Sequence, residues 1–229
     1  NSNTDRNGYL MDFLRRKSIN LDITHRCPLE CLRCQRWSSF TRHGKKVPGE
    51  DLSTENFYKI VNHFDHINFC GQVSDPVHHP KFIEFLKILN KHEKSTNVHH
   101  ATGYKKMEWY IEAFKAHPNA LWWFGIDGLP KDSHKYRVNQ DGQKLFDVMV
   151  EAKKHLIKTP RWQYIIFNYN ENDIQEAQDL ADKVGIPLLL LHSGRWFGED
   201  DPLKPKNKGY SLNKPGKIGY IDGKKVTGS

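Results

Sequence analysis

Apolar residues along the chain follow two alternating rhythms. Short runs at 18–23 (SINLDI), 66–70 (HINFC), 120–126 (ALWWFGI), 162–167 (WQYIIF) and 187–191 (PLLLL) read as buried strands, with 97–101 a weaker strand because two histidines sit in it. Between them the spacing i, i+3, i+4, i+7 predicts amphipathic helices. Phe57, Ile60, Val61 and Phe64 follow Ser53, a natural cap. Phe82, Phe85, Leu86 and Leu89 follow Pro80. Met107, Tyr110, Ile111 and Phe114 form a third set, Leu145, Val148, Met149 and Ala152 a fourth, and Ile174, Ala177 and Ala181 a fifth.

Strict alternation of about six such units implies an α/β fold with a parallel sheet covered by helices, its strands apolar enough for burial on both faces. An open doubly wound sheet and a partial barrel both satisfy the pattern, and in both, ligands gather at the carboxyl ends of the strands. The expected architecture is a partial (β/α)6 TIM-like barrel over residues 18–197. It follows an N-terminal extension, 1–17, and precedes an irregular basic C-terminal segment, 198–229, rich in Lys, Gly, Pro and Asn, which could begin a further domain.

The 229 residues are 37% hydrophobic and 27% charged, an ordinary globular balance. The net charge of +8 favours anionic partners as readily as it describes a solvated lysine surface; seven lysines fall between Lys204 and Lys225, opposed after Asp201 by Asp222 alone. No apolar run spans a bilayer and no signal peptide is visible, so a cytoplasmic protein without membrane partners is expected.

Three of the four cysteines fall within Cys27-Pro28-Leu29-Glu30-Cys31-Leu32-Arg33-Cys34, directly after the first strand. Neighbours this close read as a metal site in a reducing compartment. A loop lets three thiolates converge on one iron–sulfur cubane and leaves the fourth iron open for a chelating ligand. Zinc completed by His25 or His43 is an alternative, as is an electron-transfer cluster with Cys70 as fourth ligand.

Four further segments fall at strand ends: Cys70-Gly71-Gln72-Val73-Ser74-Asp75-Pro76 with His79-Pro80; Thr102-Gly103; Gly125-Ile126-Asp127-Gly128-Leu129 with His134, Tyr136 and Arg137; and residues 162–172. Together with CxxxCxxC they resemble the radical S-adenosylmethionine (SAM) superfamily over about residues 18–197, nearest its SPASM/twitch-type branch. The resemblance implies a [4Fe–4S] cluster on Cys27, Cys31 and Cys34. It implies reductive cleavage of SAM to a 5′-deoxyadenosyl radical that abstracts hydrogen from a substrate, with a reductant such as flavodoxin or ferredoxin as partner.

It also assigns cofactor contacts. Gly71, Gln72, Val73 and Ser74 would meet the methionine ammonium through backbone groups, and Asp75 would join them or brace their loop. Arg137 would take the carboxylate, and Thr102, Asp127 and Asn168 stand where ribose hydroxyls would lie. Plainer roles exist for each: a turn at Asp127-Gly128, a cap at Asp75-Pro76, loop chemistry at Asn168, a surface cation at Arg137. Trp37, Arg195 and Trp196 are candidates to meet the substrate, expected to be anionic or nucleotide-like, and no histidine is assigned as a ligand. The chain departs from the family's pattern in three ways: Arg33 replaces an aromatic residue, Gln72 and Val73 stand where a second glycine is common, and no later cysteines follow for an auxiliary cluster. Outside the family, a zinc-stabilised nucleic-acid-binding module is the competing reading.

Overall fold

The computed structural model describes residues 17–36, 44, 49–210, 219–222 and 225–227. The alternation becomes β1 (Ser18–Leu21), α1 (Thr54–His63), β2 (His66–Phe69), α2 (Phe82–Lys91), β3 (Ser95–His100), α3 (Met107–Ala116), β4 (Leu121–Gly125), α4 (Gly142–Ala152), β5 (Arg161–Ile165), α5 (Ile174–Val184) and β6 (Leu188–His192). Local chemistry sets the ends. Ser53 Oγ accepts from Asn56 N–H at 3.2 Å to start α1, and Asp141 Oδ1 accepts from Lys144 N–H at 3.0 Å to start α4. Gly185, at φ 63°, closes α5 in the left-handed conformation that other residues resist.

Strands β1 to β6 pair in parallel and in chain order. Consecutive order with no reversal means that every crossover runs the same way. The winding is therefore that of a barrel, not of a doubly wound sheet, and the sheet stays unclosed. Beyond β6 the segment expected to be irregular supplies β7 (Gly219–Asp222) and β8 (Lys225–Thr227), both antiparallel. A bare β6 edge invites pairing, and the β-formers Tyr220, Ile221, Val226 and Thr227 flank an Asp222-Gly223 pair, a hairpin signal masked by the surrounding lysines.

The core lies between sheet and helices. Phe57 stacks on Phe85 with centroids 4.0 Å apart, Phe114 meets Trp122 edge-on at 4.9 Å, and Trp162 is fully buried with Nε1–H donating to Ile126 O at 2.8 Å. Burial alternates along β2, β3 and β5, so only the helix-facing side is fully covered. The other side carries Asn20, Asn68, His99 and Gln163, and the expectation of strands buried on both faces holds for one face. Both tryptophans of β4 are buried. No helix among the described residues is long and apolar enough to cross a membrane.

Phe85→Ala removes a ring sandwiched in this layer and should cost about 3–5 kcal/mol of stability, read from urea unfolding followed by circular dichroism.

Candidate active site

Past β1 the chain enters the cysteine loop. The loop is tied by its backbone to a second segment: Glu30 N–H donates to Val138 O at 3.1 Å, and Leu32 N–H to Tyr136 O at 3.2 Å. Cys27, Cys31 and Cys34 line one cavity of about 500 Å³ at the carboxyl ends of the strands, together with Cys70, the whole 71–75 loop and Arg137. Burial pushes the Cys27 thiol up to about 12, reinforced by the charge of Asp75. Burial likewise lifts Cys31 to about 11, against the pull of Arg137. Both therefore favour the protonated thiol at neutral pH.

The 71–75 loop is braced from both sides. Gly71 has φ 56°, and a Cβ there would stand 3.0 Å from Ser74 O, so the turn has no room for a side chain. Asp22, just past β1, accepts from Ser74 Oγ–H at 2.9 Å and Val73 N–H at 3.3 Å, and Cys70 Sγ lies 3.6 Å from its other oxygen. Asp75 is 3% exposed. It accepts from Val77 N–H at 3.2 Å and Ala101 N–H at 2.8 Å, and pairs with His100 Nδ1 at 3.0 Å, whose Nε2 lies 2.9 Å from Tyr110 Oη. Burial works against its charge, but His100 and the backbone N–H groups hold its carboxyl below the ordinary carboxylate range. Asp75 thus stitches the β2 loop to the end of β3, and caps the short 3-10 turn Pro76–His78 as well.

At β4, Asp127 is fully buried and lies 2.7 Å from Arg137 Nε, while its other oxygen accepts from Ile165 N–H at 2.8 Å. Gly125 makes this possible: a Cβ at that position would stand 2.6 Å from Arg137 Nη2. Gln140 fastens the neighbourhood, its Nε2 donating to Gly125 O at 2.8 Å and Ala101 O at 2.5 Å.

No protein-family model matches the chain, and no curated protein matches it. Solved structures do. Streptococcus suis SuiB bound to precursor peptide SuiA superposes with TM-score 0.59 at 10% identity, over 75% of this chain and 38% of that one. Native anSMEcpe with bound AdoMet and Kp18Cys peptide gives 0.58 at 15% identity, over 85% and 55%. Methylornithine synthase (PylB) gives 0.51 at 13%, over 76% and 54%. The fold is that of the radical SAM enzymes. The chain spans 38–55% of the length of these three structures.

On this radical SAM fold the sequence-derived residues sort by where they point. The three cysteines, Gly71, Gln72, Val73, Ser74, Asp75, Arg137 and Arg195 border one space. Asp127 lies beneath Arg137 instead of facing the cavity. Thr102 is fully buried and its Oγ1 lies 2.9 Å from His78 Nε2, behind the wall. Asn168 is turned away: its N–H donates to Leu203 O at 3.0 Å and its Nδ2 to Pro202 O at 3.3 Å, so its place is with the C-terminal segment. Trp196 packs edge-on against Phe167 at 5.9 Å. Trp37 and His43 lie outside the described residues, and His25 points towards Asp51, its Nδ1 4.0 Å from Oδ1. Among the described residues no three His, Cys, Asp or Glu side chains gather closely enough to hold a single metal ion.

Arg33 has a role of its own. Its Nη2 donates to both oxygens of Asp201 at 3.0 and 2.9 Å, and its guanidinium lies 4.1 Å from the Phe197 ring centre. Asp201 also accepts from Phe197 N–H and Leu203 N–H at 2.8 and 2.9 Å. The cysteine loop and the segment after β6 are thereby clasped. Sequence reasoning also missed Asp22, whose signal was a carboxylate directly after a strand that ends beside the thiols, and Arg36, His99 and Gln163, which line the cavity.

Because the folded Asp75 carboxyl lies below its unfolded value near 3.9, its contribution to stability is present above about pH 4 and is lost as pH falls through the folded value. Asp75→Asn should unfold more easily at neutral pH and show a flatter loss of stability as pH falls below about 4, measured by denaturant titration at each pH.

Proposed function

We propose that this chain is a radical SAM enzyme, with Cys27, Cys31 and Cys34 holding a [4Fe–4S] cluster and SAM lying between the 71–75 loop and Arg137. One observation carries the reading: three thiols, a braced glycine turn and a guanidinium border a single cavity at the carboxyl ends of a barrel-wound parallel sheet. The donor set suits the group. Three thiolates of one loop as ligands, with Cys70 turned to Asp22 at 3.6 Å, would leave one iron for an amino-acid chelate, and structures with this fold hold AdoMet. When bound, the cluster supplies the electron that opens the sulfonium of SAM to a 5′-deoxyadenosyl radical able to abstract hydrogen.

The chain's own residues bind and orient. The carbonyls of the 71–75 loop, fixed by Asp22 and Asp75, offer acceptors to the N–H groups of a chelating amine, and Arg137 offers N–H donors to a carboxylate while Asp127 occupies its Nε edge. The tie between 30–32 and 136–138 keeps the thiol loop and Arg137 in fixed relation, so cluster and chelate would share one frame.

Oxygen-free reconstitution should load about four irons and four sulfides per chain, and dithionite with SAM should release 5′-deoxyadenosine. Cys27→Ala, Cys31→Ala or Cys34→Ala should abolish both results, whereas Cys70→Ala should keep the iron. Loss of the cluster in Cys70→Ala, or a reducible cluster that never cleaves SAM, sinks the reading.

Gly125→Ala pushes the Arg137 guanidinium off its seat. It should weaken SAM binding about tenfold or more, by equilibrium dialysis, with iron content retained.

A further inference from the structure

Three arginines line the cavity, and their partners differ. Arg137 is paired with Asp127. Arg36, just beyond the thiol loop, and Arg195, just beyond β6, have no acidic partner among the described residues. Two acids beyond Arg195 are engaged elsewhere, Asp201 by Arg33 and Glu199 by Lys204 at 2.7 Å. Asp75, the one carboxylate among the lining residues, is held by His100.

The ligands of the previous section do not fully neutralise this excess. A doubly positive cubane on three thiolates carries one net negative charge, and SAM chelated through a neutral amine and a carboxylate, with its sulfonium, carries none. One of the two positive charges is left over. Two guanidiniums lining one cavity then focus a positive potential into it. The rest of the lining includes polar, uncharged groups from the inner face of the sheet: Asn20 and Gln163 present amides, and burial keeps the His99 imidazole below its ordinary value despite a hydrogen bond to Gln163 Oε1.

We propose that the substrate is a small phosphomonoester, its dianionic head held between Arg36 and Arg195 and its polar body against Asn20, His99 and Gln163. This rests on the radical SAM reading. A carboxylate is satisfied by one bidentate arginine, whereas a phosphate monoester offers three terminal oxygens and two charges, enough for two forks arriving from different elements.

The test is calorimetric titration of the reconstituted, SAM-saturated protein at low salt with methyl phosphate, dimethyl phosphate and succinate. Methyl phosphate should bind at least tenfold more tightly than either of the others, and Arg36→Gln and Arg195→Gln should each weaken it at least tenfold. Equal affinity for the two esters, succinate binding as tightly as methyl phosphate, or unchanged binding in either variant overturns the assignment. Iron content and SAM affinity are measured on the same wild-type sample. Their absence sinks the enzyme reading and this inference together, and their presence without phosphate selectivity sinks this inference alone.

Discussion

The Asp127–Arg137 ion pair forms where β4 gives out and where Gly125 leaves no side chain to contest the space. A guanidinium this deep is tolerable only because a carboxylate meets it, and that carboxylate is itself fixed by the Ile165 N–H from the next strand. Arg137 is flanked by Tyr136 and Val138, whose carbonyls receive the thiol loop, so the position of the cysteines is inherited from the position of a buried charge. Remove that match and β4, β5 and the thiol loop lose their common reference together.

The same economy governs the opposite wall. Asp22 and Asp75 act as staples between the end of one strand and the loop of the next, so a turn whose Gly71 has no space for a side chain is held without a packed core of its own. The sheet's two faces divide the labour. Aromatic side chains under the helices supply cohesion, and the inner face, left half-covered because the sheet does not close, keeps the amides and imidazole that a larger closed barrel would have buried under apolar layers.

Much of this was legible from sequence, for reasons that also explain the failures. Helices announce themselves because one stripe must be apolar, and the stripes at Phe57 and Phe82 did so. The thiol loop and the Gly71 turn were legible because few residue types can serve there. Position along a strand end does not reveal direction: Ala101 faces the cavity while Thr102, one residue on, faces His78, and Asn168 turns to Pro202. Strand β3 looked weak because its histidines are polar by type, although His100 is buried between Asp75 and Tyr110, partners that spacing alone does not connect. The hairpin of β7 and β8 was hidden by lysine-rich composition, and Asp22 by belonging to a run that reads as strand.

The Arg33–Asp201 clasp joins residues 168 positions apart. Ribosomal synthesis delivers the thiol loop well before its fastener. Until Asp201 emerges the cysteines sit on a loop that lacks its tether, open to oxidants. Any delay between the two events is a window in which the thiols of the nascent protein need protection.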